Sequence, residues 1–358
     1  MPALRNSSAV VYFSGLNVLR CCAALAIVIY HSTFSFKDFL SKAPALVLHN
    51  LVVGVDFFLL ISGFLITYLL LAEKASVGTI SLRHFYLRRA LRIFPLYYGI
   101  IGLAWVLHHA STPDINFASY LYFGGNFWMV DHSWTVATLN PLWSLCIEEQ
   151  FYLLVPLLVL LLPTERLPWL FGGIVLISIG FRAYVAIALQ SNWMMIYCHT
   201  LSRCDVLALG GWLAWQHFRQ PIRWALPRWT LPTAVLFLGL LMSIIDGGDY
   251  TALNLATFKK YLFLGPLAFI FCFAVFNTPS ASAASSIMGR ALNYVGKVSY
   301  GVYMYHSPII FLLDQHIPQL VAHPFPRLAL VLGCTVLVAA LSYELIEKQI
   351  LRLKTRFA

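Results

Sequence analysis

Apolar residues recur along this chain in blocks of about 20, the length that an α-helix needs to cross the hydrocarbon core of a bilayer. Of 358 residues, 60% are hydrophobic and only 11% are charged. A water-soluble domain carries about 25% charged residues. The composition therefore excludes a soluble enzyme, a secreted disulfide scaffold and a nucleic-acid-binding domain, so no nucleic-acid partner is expected. The sequence predicts a membrane protein.

The apolar blocks predict an all-α fold class, a polytopic helical bundle with about ten transmembrane helices. Residues 1–358 are expected to form a single membrane domain, with no appended soluble domain and no cleaved signal peptide. The stretch 111–141, rich in Gly, Asn, Trp and Tyr, is expected to form a structured lid. The predicted spans are 16–34, 50–72, 93–110, 142–162, 169–190, 199–217, 230–246, 259–276, 294–313 and 327–347.

Cations are unevenly distributed between the predicted loops. With the N-terminus inside, 16 of the 24 Lys and Arg residues fall in inner segments and five in outer segments. Cytoplasmic loops carry such an excess, so both termini are predicted to be cytoplasmic, and membrane lipid is an expected partner. The seven cysteines lie mostly in apolar stretches without metal-ligand spacing, which indicates small buried side chains and no metal site.

Ionisable residues inside spans are costly and therefore point to function. Arg20 and His31 lie eleven residues apart in the first span, on one helical face and about 16.5 Å apart along the axis. Asp56, near the start of the second span, is expected at the depth of His31, where a carboxylate would orient the imidazole. The structural alternatives are a snorkelling arginine, an interfacial histidine and a helix-start acid.

A dense group of arginines precedes the third span. On a helix, Arg92 is a neighbour of Arg88, four residues before it, and of Arg89, three residues before it, so one face can present a cluster of guanidiniums. Planar guanidinium groups bind phosphate through two hydrogen bonds at once. An ordinary anchor on anionic lipid is the alternative interpretation.

Three further spans contain polar residues. Glu148 and Glu149 interrupt the fourth span, and because neighbouring helical residues point about 100° apart, only one of them is expected to face an internal cavity. Arg203 and Asp205 in the sixth span do not face each other, so each needs a partner on another helix. His306 ends a tyrosine-rich stretch that is also typical of an interfacial aromatic belt.

Together these motifs resemble acyltransferase family 3, the bacterial integral-membrane acyltransferases that modify surface and exported saccharides. The order of the motifs is that of the family, and they cover residues 16 to 347. The matching elements are Arg20 and His31 at the R-x(10)-H spacing, Gly54-Val55-Asp56-Phe57-Phe58 with Ile61-Ser62-Gly63-Phe64, Arg88-Arg89-x-x-Arg92-x-x-Pro95, Trp143-Ser144-Leu145-x-x-Glu148-Glu149-Gln150-Phe151-Tyr152, Arg203-x-Asp205, and Ser299-Tyr300-Gly301-x-Tyr303-x-x-His306.

The resemblance implies transfer of an acyl group, commonly acetyl from acetyl-CoA, to a hydroxyl of a saccharide or lipid-linked saccharide. His31 matches the essential histidine of the family, acting as a base or a transient acyl carrier, and Arg20 matches its partner. The implied location is the bacterial inner membrane. Asn17 departs from the pattern, standing where many members have Asp, and Gln349 replaces a frequent Pro.

The predicted site has a catalytic and a donor-binding part. His31, with Asp56, Glu148 and Glu149, is the predicted catalytic group. Acyl-CoA is the expected donor, with no metal, and its predicted ligands are Arg20, Arg88, Arg89, Arg92 and Arg203. The alternative function is a polytopic transporter of an anionic or acylated solute, whose pathway the same charges would line. A non-catalytic partner in polysaccharide assembly is a third hypothesis.

Overall fold

The computed structural model describes residues 13, 15–33, 40–109, 112, 115–134, 136–189, 193–222, 226–227, 229–245, 255–277 and 286–353, with the side chains of 255–260 left out. Within these ranges the fold is all-helical, without β-strands. The α-helices are α1 (Gly15–Ser32), α2 (Lys42–Asn50), α3 (Gly54–Val77), α4 (Leu82–His108), α5 (Phe117–Leu121), α6 (Gly125–His132), α7 (Leu142–Leu161), α8 (Leu167–Tyr184), α9 (Trp193–Cys198), α10 (Thr200–Arg219), α11 (Thr230–Ile244), α12 (Leu255–Phe276), α13 (Ile287–Lys297), α14 (Ser299–His316), α15 (Pro324–Ser342) and α16 (Lys348–Arg352).

Six helical segments among the described residues are long and apolar enough to cross a membrane, which identifies a membrane protein. They are Gly15–Ser32, Lys42–Val77, Leu82–His108, Leu142–Leu161, Thr164–Leu189 and Pro324–Arg352. Two shorter apolar helices cover Thr230–Ile244 and Tyr261–Phe276. The remaining predicted spans, the sixth and the ninth, correspond to α10 and to α13 with α14. Residues 1–12 and 14, where no signal peptide is predicted, lie outside the described residues.

The helix boundaries differ from the predicted spans in two places that matter for the site. Helix α4 begins at Leu82, eleven residues before the predicted span, so the arginine-rich segment belongs to the membrane helix itself. The predicted ninth span is divided at Val298 into α13 and α14. The predicted lid contains the two short helices α5 and α6.

Glycines allow a close helix contact between α3 and α10. Gly63 lies against the backbone of Leu207, and Gly210 lies against the backbone of Leu60, so a methyl group at either glycine would overlap the facing helix. Small residues permit such close packing in membranes, where the contact is held by van der Waals forces. The α3–α10 contact fixes one wall of the bundle, and the functional site forms on the opposite side of α3.

Candidate active site

A cavity of about 80 Å³ lies inside the bundle between five helices, α1, α3, α4, α7 and α14. It brings together motifs that are up to 283 residues apart in the sequence, from Arg20 on α1 to Tyr303 on α14. The polar and aromatic side chains that line it are Arg20, Phe58, Ser62, Arg89, Arg92, Ser144, Glu148, Tyr152, Ser299, Tyr300 and Tyr303.

The cavity carries an excess of positive charge. Arg20, Arg89 and Arg92 line it, and in the described part of the chain none of the three forms an ion pair with a carboxylate. Arg89 lies over the rings of Phe85 and Tyr152, with its guanidinium carbon 5.7 and 5.6 Å from their centroids. Partly buried cations without an ion-pair partner are costly inside a membrane domain, so this arrangement favours an anionic ligand.

Arg88 is separated from its two neighbours in sequence. Its guanidinium lies 3.2 Å from the carboxylate of Glu73, which also accepts a hydrogen bond of 2.8 Å from the backbone N–H of Ser81. The expected cluster is therefore divided, because Arg89 and Arg92 line the cavity and Arg88 joins the start of α4 to the end of α3. We find no contribution of Arg88 to the cavity wall.

The two adjacent glutamates also differ, as their angular spacing predicts. Glu148 lines the cavity, and its Oε2 accepts hydrogen bonds from Tyr152, at 2.8 Å, and from Ser62, at 3.1 Å. Glu149 is not part of the cavity lining, and its buried Oε1 has no hydrogen-bond partner among the described residues. Gln150 donates to the carbonyl of Phe123 at 2.7 Å and so holds the predicted lid against α7.

A pair of histidines lies at the C-terminal end of α1. The ring centroids of His31 and His306 are 5.1 Å apart. The Nδ1 of His306 lies 2.6 Å from the carbonyl of Tyr303, and because a carbonyl only accepts, Nδ1 carries the proton. In the neutral ring Nε2 is then an acceptor, and this fully buried atom has no hydrogen-bond partner in the described part of the structure.

Tyr303 connects the histidine pair with the cavity. Its ring lines the cavity and lies 5.6 Å from the ring of His306. Its hydroxyl donates to the carbonyl of Pro141 at 2.7 Å and accepts from Ser144, also at 2.7 Å. The two regions of the site are therefore one aromatic ring apart.

Asp56 does not orient His31. Gly54 packs on the backbone of Ala23, eight residues before His31, so Asp56 lies roughly 12 Å deeper along α1 than expected. The Oδ1 of Asp56 accepts from Arg203 at 2.7 Å, and both side chains are about 8% exposed. Asp56, Glu148 and His31 are all described residues, and neither carboxylate forms a hydrogen bond or an ion pair with His31.

Arg203 is predicted as a donor ligand, but it is enclosed by protein groups. Besides Asp56, it donates from Nε to the carbonyl of Tyr197 at 2.7 Å, and its guanidinium carbon lies 4.8 Å from the Tyr197 ring and 5.2 Å from the Trp143 ring. Asp205 accepts from Tyr261 of α12 at 2.6 Å. The expectation that Arg203 and Asp205 have partners on other helices is confirmed.

A second ion pair, between a buried arginine and a partly exposed aspartate, holds the end of α1, and it was not predicted from the sequence. Arg327 of α15 forms two hydrogen bonds with Asp314 of α14, at 2.8 and 2.7 Å, and donates to the carbonyl of Ser32 at 2.7 Å. Ser32 follows His31 directly. The signal available in the sequence was an arginine at the first residue of the tenth predicted span, 327–347.

The sequence profile described as an acyltransferase domain matches residues 13–344, which is nearly the whole described chain. The chain belongs to acyltransferase family 3. All six motifs fall within the matched range. The family assignment that the resemblance implied is thereby confirmed.

Two O-acetyltransferases are similar to this chain over almost its whole length. It is 28% identical to the peptidoglycan O-acetyltransferase OatA of Listeria monocytogenes over 363 residues, covering 95% of this chain and 56% of the relative. It is also 28% identical to the O-acetyltransferase OatA of Staphylococcus aureus over 368 residues, covering 95% and 57%. The chain thus spans a little over half the length of these relatives. No solved structure matches it.

Proposed function

We propose that this protein is an O-acyltransferase that moves an acyl group, most simply acetyl, from a cytoplasmic acyl-CoA to a hydroxyl of a saccharide or lipid-linked saccharide. The observation that carries the proposal is the cavity whose three arginines have no ion-pair partner among the described residues, one aromatic ring away from the histidine pair. The names of the two relatives support an O-acetyl product. We further propose about ten membrane spans, cytoplasmic termini and an inner-membrane location, which would place the cavity on the donor side.

The donor would bind through its phosphates. Coenzyme A carries a pyrophosphate and a 3′-phosphate, and Arg20, Arg89 and Arg92 offer guanidinium forks in a partly desolvated site where phosphate contacts are strong. A cavity of about 80 Å³ is too small for the whole cofactor, so the phosphates would lie at its arginine-lined wall with the pantetheine arm inside and the nucleoside outside. Tyr303 and Ser144 would then border the thioester.

The histidines would act on the acceptor hydroxyl. As the acceptor oxygen bonds to the acyl carbon, the thioester C–S bond breaks, and the hydroxyl proton passes through an imidazole to the leaving sulfur. General-base assistance of this kind is typically worth about 10²–10⁴-fold. His31 is the proposed base or acyl carrier. It lies on α1 together with Arg20, so this one helix would connect the donor phosphates with the acceptor hydroxyl.

The two arginines of α4 that line the cavity provide the test. In the purified protein in lipid nanodiscs, the double variant Arg89→Ala/Arg92→Ala should weaken acetyl-CoA binding by at least about tenfold, because each lost charged hydrogen bond costs about 1.5–3 kcal/mol. Arg88→Ala is the matched control, because Arg88 contacts Glu73 outside the cavity, and its effect should be much smaller. Equal affinities for the wild type and the double variant would refute the proposed donor site.

A transport function predicts a different outcome. A His31→Ala protein that still moves an acylated solute across a sealed vesicle would favour the transporter. Release of free coenzyme A together with a base-labile acetyl group on a saccharide, in the wild type only, would favour the enzyme.

A further inference from the structure

Four aromatic side chains form one cluster at the N-terminal ends of α7 and α10. Trp134 precedes α7, Trp143 lies on α7, and Trp193 and Tyr197 lie on α9; we call these four residues the aromatic cluster. The centroid of the Trp134 ring is 6.1 Å from that of Trp193 and 5.7 Å from that of Tyr197. The rings of Tyr197 and Trp143 are 5.1 Å apart.

The aromatic cluster has a rigid base and one partly exposed ring. Arg203 lies against Trp143 and Tyr197 and is fixed by its ion pair with Asp56. Trp143 is 3% exposed, whereas Trp134 is 38% exposed. A partly exposed ring on a preorganised base is the arrangement of a binding surface, because little conformational entropy is lost when a ligand covers it.

The competing explanation is an aromatic belt at the membrane interface. Trp105 has the exposure and the contacts expected of a residue in such a belt. Trp105 is 52% exposed near the C-terminal end of α4, and among the described residues it stacks only on His109, one turn further along the chain. Trp134 instead packs against rings from another helix, around a buried ion pair. The surroundings of Trp134 are therefore typical of a ligand-binding site.

The segment after Trp134 leads directly to the histidine pair. Ser307 donates to the carbonyl of Ala137 at 2.5 Å, and Tyr303 donates to the carbonyl of Pro141. These two α14 residues flank His306. Ala137 is the third residue after Trp134, so their Cα atoms are at most about 11 Å apart. A saccharide on the aromatic cluster would therefore lie on the side of the bundle where Ala137 and Pro141 contact the α14 residues next to His306.

His306 provides a second, independent indication of a ligand. Its Nε2 is an acceptor, is fully buried and has no hydrogen-bond partner among the described residues. A buried polar atom without a partner is unfavourable by about 1–3 kcal/mol. A hydroxyl group is the donor that would satisfy this atom, and a pyranose carries several around an apolar C–H face that fits an indole ring.

We propose that the aromatic cluster binds a pyranose ring of the acceptor and directs one of its hydroxyls toward His306 and His31. The inference rests on the proposed function, whose acceptor class it specifies. It assigns separate surfaces to the two substrates, with the donor at the arginine cavity and the acceptor at Trp134.

Direct binding measurements test this site without acyl-CoA. The full chain in nanodiscs is titrated with three tetrasaccharides that differ in linkage and substitution: chitotetraose, cellotetraose and maltotetraose. At least one should bind the wild type, and Trp134→Ala should weaken that binding by about fivefold to tenfold, the scale of one aromatic contact. Trp134→Phe should recover part of the affinity, and the control Trp105→Ala should bind like the wild type.

Two results would overturn the inference. One is a wild type that binds none of the three tetrasaccharides, and the other is a Trp134→Ala protein that binds as tightly as the wild type. If Trp134→Ala unfolds in a thermal scan, Trp134→Phe alone should still show a smaller, measurable loss. Saccharide binding without acetyl transfer from acetyl-CoA would refute the proposed donor and leave the acceptor site intact.

The kinetic form of the experiment separates binding from structural damage. With the tetrasaccharide that binds as acceptor, Trp134→Ala should raise the KM for acceptor about fivefold to tenfold while the KM for acetyl-CoA stays unchanged. An equal change in both constants would indicate a general distortion and contradict the assignment.

Discussion

Two groups of charged side chains inside the bundle lie on either side of α3, and they differ in whether they have ion-pair partners. On one side, Asp56 and Arg203 bind each other at 2.7 Å and are enclosed by Trp143 and Tyr197. On the other side, Arg20, Arg89 and Arg92 line a cavity without a carboxylate partner in the described part of the chain. Sequence alone treats both groups as candidates, because each is an ionisable residue in an apolar block. Pairing distinguishes them: a satisfied pair needs no ligand, and an unsatisfied cluster does.

The largest expected effect lies on the unsatisfied side. His31→Ala should lower acyl transfer by at least about 10²–10⁴-fold, because the base is lost, and by more if the imidazole carries the acyl group. The measurement is transfer from labelled acetyl-CoA by purified variants in nanodiscs, with thermal stability recorded on the same samples. His306→Gln, which keeps an acceptor atom on α14, should lose less activity. Substantial turnover by a folded His31→Ala protein would remove His31 from the chemistry.

The satisfied pair should affect folding before it affects ligand binding. Arg203→Ala leaves the carboxylate of Asp56 buried without its partner, which typically costs about 3–5 kcal/mol. We expect a marked fall in the thermal midpoint with acetyl-CoA affinity retained in the folded fraction. The double variant Asp56→Asn/Arg203→Gln, which removes both charges, should recover much of the stability. A stable Arg203→Ala protein that fails to bind acetyl-CoA would return Arg203 to the donor ligands.

The sequence predicted the structure best for features that depend on residues close together in the chain. Apolar block length predicted helices that match α1, α7 and α11 closely, and the angular spacing of Glu148 and Glu149 predicted that one alone faces the cavity. The separation of Arg88 from Arg89 was not predictable in this way, since it depends on Glu73 at the end of a different helix. The depth of Asp56 was misjudged because it depends on where Gly54 meets α1, which is a packing contact.

His306 illustrates the same limit within the site. As a residue in a tyrosine-rich stretch it was consistent with an interfacial belt, and only the bundle brings it within 5.1 Å of His31. Its tautomer is fixed by the carbonyl of Tyr303, a local contact within α14. Local geometry was therefore accessible in principle from the helix, whereas the partner on α1 was not.

The smallest effect should come from the pair that is satisfied but only partly buried. The side chain of Arg327 is only 6% exposed, whereas that of Asp314 is 35% exposed, so the Asp314 carboxylate is less dependent on its partner than a fully buried one. Arg327→Ala should therefore cost about 1–3 kcal/mol, mainly through the carbonyl of Ser32 left without its donor. Because Ser32 follows His31, the end of α1 should also become less well fixed, and transfer should slow several-fold with an unchanged KM for acetyl-CoA.

The exposed pair Arg219–Glu165, at 3.7 Å, is the matched control, and Arg219→Ala should change the free energy of unfolding by less than about 1 kcal/mol and leave transfer unaltered. The comparison is made by thermal unfolding and by kcat and KM on the same nanodisc samples. If Arg327→Ala lost stability without losing kcat, the ion pair would stabilise the packing of α14 on α15 without positioning His31. A lysine at position 327 can keep the hydrogen bond to Ser32 but not the two hydrogen bonds to Asp314. If Arg327→Lys restored kcat more fully than stability, the hydrogen bond to Ser32 would therefore be the contact that positions His31.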